Sequence, residues 1–265
     1  MADDKISKEW DKASGSWADY VRGGKDFYRN EMHGKAFFRL LGKVHGKRVL
    51  DLACGEGYNS RLLARRGACV AAVDFSEKMI ELAKHLEQKE KLGINYLVSD
   101  ATNLKELSSN QFDIVCCLMA LMDIECYQKA ICSVARVLKE GGRFIFSITH
   151  PCFEYGDITA DGRKIGDWKY DEADDKWIYE SSTYFENLEL KDYWNMERLL
   201  KPFVTSSFHR TLSDYSQALF KSKLLIQRLI EPKPTAKAIL EHPGMRKHSV
   251  IPHSLVIEAI KMKPK

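Results

Sequence analysis

Residues 48–74, RVLDLACGEGYNSRLLARRGACVAAVD, constrain this chain more than any other stretch, because they read as strand, glycine turn, helix and strand. Val49, Leu50 and Leu52 form a short apolar run suited to a buried parallel strand. Asp51, Ala53, Gly55 and Gly57 then make a D-x-A-x-G-x-G turn, whose glycines let a ligand lie against the backbone as it enters the helix. Arg61 to Arg65 are good helix formers, and Gly67 is placed to stop the helix. A second apolar run, Cys69 to Val73, ends on Asp74, where a carboxylate would meet a ribose hydroxyl pair in a nucleotide-binding βαβ unit.

The chemistry of the turn discriminates between ligands. A pyrophosphate needs bare amide donors, yet Asp51 stands at the base of this loop and Glu56 within it. Two acids suit a ligand carrying an amino group and a sulfonium. Ser60 also replaces the third glycine of a dinucleotide fingerprint. With its VLDLACGEG, the sequence resembles the class I S-adenosylmethionine-dependent methyltransferases, with Ala53 where many members have glycine.

Three further motifs carry the same resemblance. Asp74-Phe75-Ser76 precedes a helix that Ser76 caps, running to about Lys91 and closed by Gly93, with Met79 on its apolar stripe. The resemblance implies that Asp74 accepts the ribose hydroxyls and Phe75 lies against adenine. Asp100-Ala101 follows the strand Asn95 to Ser99, so Asp100 and the Ala101 amide are assigned to the adenine edge; the alternative is a helix cap before Asn103 to Leu107. Leu138-Lys139-Glu140-Gly141-Gly142 is expected to end a helix and open the fifth strand, Phe144 to Thr149. Leu118, at the end of strand Phe112 to Leu118, and Tyr20 complete the expected cofactor contacts. The tetrapeptide Leu118-Met119-Ala120-Leu121 lacks the pattern of DNA amino-methyltransferases.

Composition sets limits on the rest. At 265 residues and 45% apolar content, the chain can hold one large α/β domain with an insertion. The longest apolar run, Ile114 to Met122, is too short to span a membrane, and the N-terminus lacks a signal-peptide core, so a cytoplasmic location is expected. Seven cysteines without a C-x-x-C pair suggest reduced thiols and no metal site. A net charge of +4, evenly mixed, argues against nucleic acid; the basic residues Lys233, Lys237, Arg246, Lys247 and His248 read as a solvated face.

Outside the core, two helices are expected at Trp10 to Tyr20 and Lys35 to Leu41, broken at 22–26. The resemblance implies a lid here, in which Trp17 and Tyr20 border the methionine end of the cofactor or the substrate; the alternative is that they glue the helices to the sheet. Asp123 either meets substrate or caps a helix from Glu125 to Lys139. His150, past the fifth strand, is the candidate general base, with a purely structural histidine as the alternative. Residues 154–207 are too long for a tight connection, with strand-like runs at Trp177 to Tyr184 and Phe203 to Phe208. Trp168, Tyr170, Trp177, Tyr184, Tyr193 and Trp194 could wall an acceptor pocket there. A helix beginning near Arg210, capped by Thr211 or Ser213, and strands Leu225 to Glu231 and Leu255 to Met262 finish the chain.

The expected architecture is α/β: a Rossmann-like, doubly wound, seven-stranded and mostly parallel sheet with the last strand antiparallel. An N-terminal helical lid (1–46), a cofactor core (47–150), a substrate-covering insertion (151–207) and the C-terminal part of the sheet (208–265) divide one structural domain. The implied reaction is methyl transfer from S-adenosyl-L-methionine, giving S-adenosyl-L-homocysteine, to a small-molecule N, O, S or C acceptor. The alternatives are a nicotinamide-dependent oxidoreductase, for which a Tyr-x-x-x-Lys pair is missing, and a protein that binds the cofactor without catalysis. The sequence leaves the oligomeric state open.

Overall fold

A computed structural model describes residues 2–154, 158–159, 162–196 and 198–263. In chain order, α1 (Ala2–Arg22) and α2 (Gly34–Leu41) precede β1 (Arg48–Leu52), α3 (Tyr58–Arg65), β2 (Cys69–Asp74), α4 (Glu77–Glu90) and β3 (Asn95–Val98). β4 (Phe112–Leu118), α5 (Tyr127–Val137) and β5 (Leu138–Thr149) follow. Then come β6 (Ile158–Thr159), β7 (Gly166–Asp171), β8 (Lys176–Ser181), β9 (Leu188–Trp194) and β10 (Phe203–His209). The chain closes with α6 (Leu212–Lys221), β11 (Leu224–Ile230), α7 (Ala236–Glu241) and β12 (Ser254–Lys261).

The main sheet has seven strands in the order β11-β12-β5-β4-β1-β2-β3. β1 to β5 pair in parallel, and β12, the last strand, runs antiparallel to both β5 and β11. This is the expected doubly wound fold. Successive side chains of a strand point to opposite faces, so the apolar runs feed two cores. Leu50, Leu52, Val115 and Phe146 pack with Ile131, Val134 and Leu219 of α5 and α6 on one face. Val49, Val70, Ala72 and Ile145 pack with Phe37, Leu63 and Ile80 of α2, α3 and α4 on the other. Each such buried Val, Leu, Ile or Phe side chain contributes about 1.5–3 kcal/mol, which fixes the strand ends where the cleft forms.

The local signals hold at several caps. Ser76 accepts the Met79 N–H at the start of α4, and Thr211 with Asp214 forms a reciprocal capping box on α6. Other expectations need correction. α4 ends at Glu90, close to the expected limit, but its left-handed cap is Lys91 (φ 50°) and not Gly93. Leu138-Lys139-Glu140-Gly141-Gly142 is not a helix-ending turn but the start of β5, whose pairing with β4 shifts register between Phe112 and Ile114. No helix forms over 103–107, and α5 is shorter than 125–139.

Between β5 and α6 lie a three-stranded sheet, β10-β9-β6, and a β7-β8 hairpin. β7 and β9 went unseen in the sequence because Asp, Lys and Glu alternate with their aromatics. At the other end, α1 stops at Arg22 and the chain resumes as a π-turn, Arg29–His33, running into α2. Met32 of that turn packs on Ala238 and Met245, tying it to α7 and the 243–249 segment. The proposed basic face is not uniformly solvated: His248 is buried, and Lys247 lies 5.6 Å from the Trp168 ring centroid.

Candidate active site

A cavity of about 480 Å³ opens at the carboxyl ends of β1, β2 and β4, where the crevice of an open α/β sheet is expected. It is roofed by α1 and by β9 of the segment following β5.

Asp74 sits on its wall, 6% exposed. One carboxylate oxygen accepts the Gly55 N–H at 2.8 Å and the other the Ser76 N–H at 2.9 Å. A carboxylate has about four acceptor sites, so lone pairs remain for a hydroxyl pair. Burial pushes its pKa up to about 6, opposed by those backbone N–H bonds and aided by the nearby Asp11 charge. Asp11 itself receives the Ser76 hydroxyl at 2.6 Å, which fastens α1 over the site. Asp100 also borders the cavity, with both oxygens held by Thr102, through N–H at 2.7 Å and hydroxyl at 2.6 Å. It therefore organises a turn and caps no helix. Ala53, Gly55, Phe75, Ala101, Leu118 and Tyr20 all line the same space.

The glycine turn behaves differently from its motif reading. Gly55 (φ +56°) faces the cavity, and a Cβ there would lie 3.8 Å from Trp17 Nε1. Gly57 (φ +81°) does not line the cavity; a Cβ would stand 2.4 Å from the Tyr96 hydroxyl. Ala53 holds φ +53°, so its methyl sits in a strained conformation worth about 1–2 kcal/mol. Asp51 does not line the cavity. It lies 2% exposed beneath the turn, where Ser60 donates to it at 2.5 Å, and burial pushes its pKa up to about 6. Glu56 does border the cavity, yet Arg61 (2.9 Å) and Arg22 (2.8 Å) neutralise it. The two acids thus brace the turn and do not act as free counter-charges.

His150 is placed outside the cavity, a correction to its expected role as base. It is 3% exposed, pairs through Nε2 with Glu231 at 3.0 Å and accepts the Cys152 N–H on Nδ1 at 3.2 Å. With both ring nitrogens engaged and burial lowering its pKa, it fastens the loop after β5. Of the six insertion aromatics, Tyr193 and Trp194 reach the cavity, whereas Trp168, Tyr170, Trp177 and Tyr184 do not. Trp194 meets Trp17 edge-on at 5.2 Å, and Tyr20 stacks on Trp17 at 6.0 Å.

Asp123 does not cap α5; Cys126 takes that place without a side-chain bond. Asp123 instead closes a short 3-10 turn, Leu121–Asp123, and borders the cavity. Burial and the facing charge of Asp192 hold its carboxyl well above the usual range, against the pull of Arg210. Arg210, itself buried, donates to the carbonyls of Leu121, Met122, Ile124 and Glu125, clamping the loop on both sides of Asp123. The sequence missed Arg29, His33, Asp192 and His253 at the cavity. Only their clustering in space, from three distant segments, marks them.

Residues 50–146 match a family described as a methyltransferase domain. A ubiquinone biosynthesis O-methyltransferase of Coxiella burnetii is 38% identical over 111 residues, covering 42% of this chain and 47% of that protein. A demethylmenaquinone methyltransferase of Leptospira interrogans is 33% identical over 145 residues, covering 53% and 56%. The chain therefore spans about half the length of the curated relatives it matches. Among solved structures, an S-adenosylmethionine-dependent methyltransferase from Mesorhizobium loti superposes with a TM-score of 0.68 at 26% identity, covering 85% of this chain and 96% of that one. A putative one from Listeria monocytogenes gives 0.68 at 28% identity, covering 87% and 96%. Sheet order, strand-end acids and these matches support the class I S-adenosylmethionine-dependent methyltransferase fold, with residues 50–146 as its methyltransferase domain. The family and these structural neighbours imply S-adenosyl-L-methionine as the cofactor.

Proposed function

We propose that the chain transfers the methyl group of S-adenosylmethionine to a nucleophilic atom of a small molecule. The observation that carries this reading is a single cavity joining two sets of groups. Asp74, Phe75, Asp100, Ala101, Leu118 and Gly55 line it together with Asp123, Asp192, Trp17 and Trp194. Asp74 is assigned to the ribose hydroxyls, Asp100 and the Ala101 amide to the adenine edge, and Phe75 and Leu118 to its faces. Tyr20 borders the methionine end.

When bound, the cofactor supplies an electrophilic methyl on sulfur. The chain's own residues position the acceptor and exclude water, which can account for most of the acceleration in such a transfer. Asp123, held at the cavity by its clamped loop, is the group we assign to receive the acceptor's proton when in its carboxylate form. Segments 1–46 and 151–207 are read as the cover of this cavity, since Trp17 and Trp194 come from them; residues 155–157, 160–161 and 197 lie outside the described ones. No helix among the described residues is long and apolar enough to cross a membrane. Free, buried thiols at Cys54, Cys116 and Cys117 support a reducing compartment, the cytoplasm. The modest charge supports a small molecule over nucleic acid as partner.

The test is formation of S-adenosylhomocysteine from S-adenosylmethionine with panels of amines, phenols, thiols and reduced quinones. Acceptor-dependent turnover that Asp123→Asn abolishes supports the proposal. Tight cofactor binding with no turnover on any panel favours a non-catalytic binder.

A further inference from the structure

One end of the cavity is lined by buried polar atoms without hydrogen-bond partners: Arg29 Nε, His33 Nδ1, His253 Nδ1 and Asn59 Oδ1. Arg29 is 7% exposed and His33 5%. Buried polar groups are ordinarily matched by a hydrogen-bond partner, so a ligand group belongs there.

The backbone is shaped to bring them together. The π-turn Arg29–His33 closes with the Gly34 N–H on the Arg29 carbonyl. A Cβ at position 34 would meet that oxygen at 2.4 Å and the Arg29 Cγ at 2.9 Å, so glycine is what lets Arg29 fold back. π-turns inside helices occur often at functional sites. The Arg29 guanidinium lies 4.0 Å from the Tyr58 ring centroid, which covers one face and leaves its edge for hydrogen bonds. Tyr58 and Asn59 open α3, whose N-terminal end favours negative charge. His33 and His253 stack at 6.4 Å. Burial drives both imidazoles down to about 3, with Arg29's charge adding for His33, so at neutral pH each is an uncharged ring with one N–H.

Arg29 is incompletely paired. Its Nη2 donates to Val21 O (3.3 Å) and Asn30 Oδ1 (3.4 Å), while Asp26 Oδ2 stands 3.9 Å from Nε, beyond hydrogen-bond reach. Asp26 offsets part of the positive charge. A singly charged, planar anion matches what remains better than a phosphate dianion does.

We propose that Arg29, His33 and His253 form a carboxylate-binding subsite at this end of the cavity. The inference rests on the methyltransferase reading, and the carboxylate has two sources: the methionine moiety of the cofactor or the acceptor itself. Asn59 Oδ1 would take an N–H of the same ligand.

Calorimetric titration separates these sources. The probes are S-adenosylhomocysteine and its decarboxylated analogue, followed by benzoate added to protein saturated with S-adenosylhomocysteine. If the cofactor is the source, Arg29→Gln weakens S-adenosylhomocysteine at least tenfold and leaves the decarboxylated analogue unchanged. If the acceptor is the source, both nucleosides bind Arg29→Gln normally, and benzoate binds the loaded wild type but not the variant. Asp26→Asn keeps Arg29 in place and should tighten the same carboxylate several-fold. Equal loss of both nucleosides in Arg29→Gln, or no change with any probe, overturns the subsite, as does weaker binding in Asp26→Asn. Failure of the wild type to bind either nucleoside is a different result, which removes the cofactor reading and this inference together.

Discussion

Gly57→Ala discriminates most sharply between a glycine kept for a ligand and one kept for packing. The backbone there has φ +81°, a left-handed conformation that costs an L-residue about 1–2 kcal/mol. The new methyl would also stand 2.4 Å from the Tyr96 hydroxyl and 2.9 Å from two ring carbons. Tyr96 is 3% exposed and packed in the core between the sheet and α3 and α4, so it has little room to retreat. Overpacking of this kind adds about 1–3 kcal/mol. The sum is roughly 2–5 kcal/mol, which at about 2–4 °C per kcal/mol for a domain of this size lowers Tm by on the order of 10 °C. Differential scanning calorimetry and urea titration measure it. In a Tyr96→Phe background the closest contact disappears, and the loss should shrink. Because the Tyr96 hydroxyl has no partner, Tyr96→Phe alone should cost little. Affinity for S-adenosylhomocysteine in folded Gly57→Ala should stay within about threefold, since a fully packing role predicts a shift below the ~0.7 kcal/mol that threefold represents. A variant with wild-type Tm and lost cofactor binding would refute the packing argument.

Other perturbations follow from the same geometry. Asp74→Ala removes a carboxylate that orders Gly55 and Ser76; S-adenosylhomocysteine binding should weaken by about 1.5–3 kcal/mol by calorimetry, the scale of hydrogen bonds to charged groups. Asp51 and Asp74 bind protons up to about pH 6 when folded but release them near 4 when unfolded. Their contribution to stability is therefore present below about pH 4 and lost as pH rises through 6; urea midpoints of Asp51→Asn should show a shallower decline than the wild type across that window. Glu56→Gln removes the nearer carboxylate from buried Arg61, leaving Glu90 at 3.9 Å, and should destabilise the fold by about 3 kcal/mol, read as an early urea midpoint. His150→Gln should lower stability by about 1 kcal/mol through its Glu231 and Cys152 bonds while leaving turnover near normal.

Much of the fold was legible because strands buried on both faces announce themselves as apolar runs and helices announce their caps. β1, β2 and β4 fall within a residue or two of their expected limits for that reason, and α6 begins where its cap predicts. Residue type at a motif position, however, does not reveal direction. Asp51 lies on the strand face that points under α3, so it binds Ser60 and does not line the cavity. Gly57 looks toward Tyr96, a neighbour contributed by β3. His150 stands at a strand end, as a base should, but Glu231 from the end of β11 claims its free nitrogen. Asp123 was hidden by a cap-like position, and Arg29, His33 and His253 by distance along the chain. The Leu138 to Gly142 turn reads as helix-ending in one dimension, whereas β4 recruits it as strand through a register shift.

The central claim is that the cavity at the β1, β2 and β4 ends is built for S-adenosylmethionine. Calorimetric titration with S-adenosylmethionine, S-adenosylhomocysteine and reduced nicotinamide dinucleotides tests it most directly. The account predicts saturable binding of the first two at one site, weakened by Asp74→Ala, and no heat from the nicotinamides. Binding of a nicotinamide alone, or of neither adenosyl sulfur compound, would contradict it.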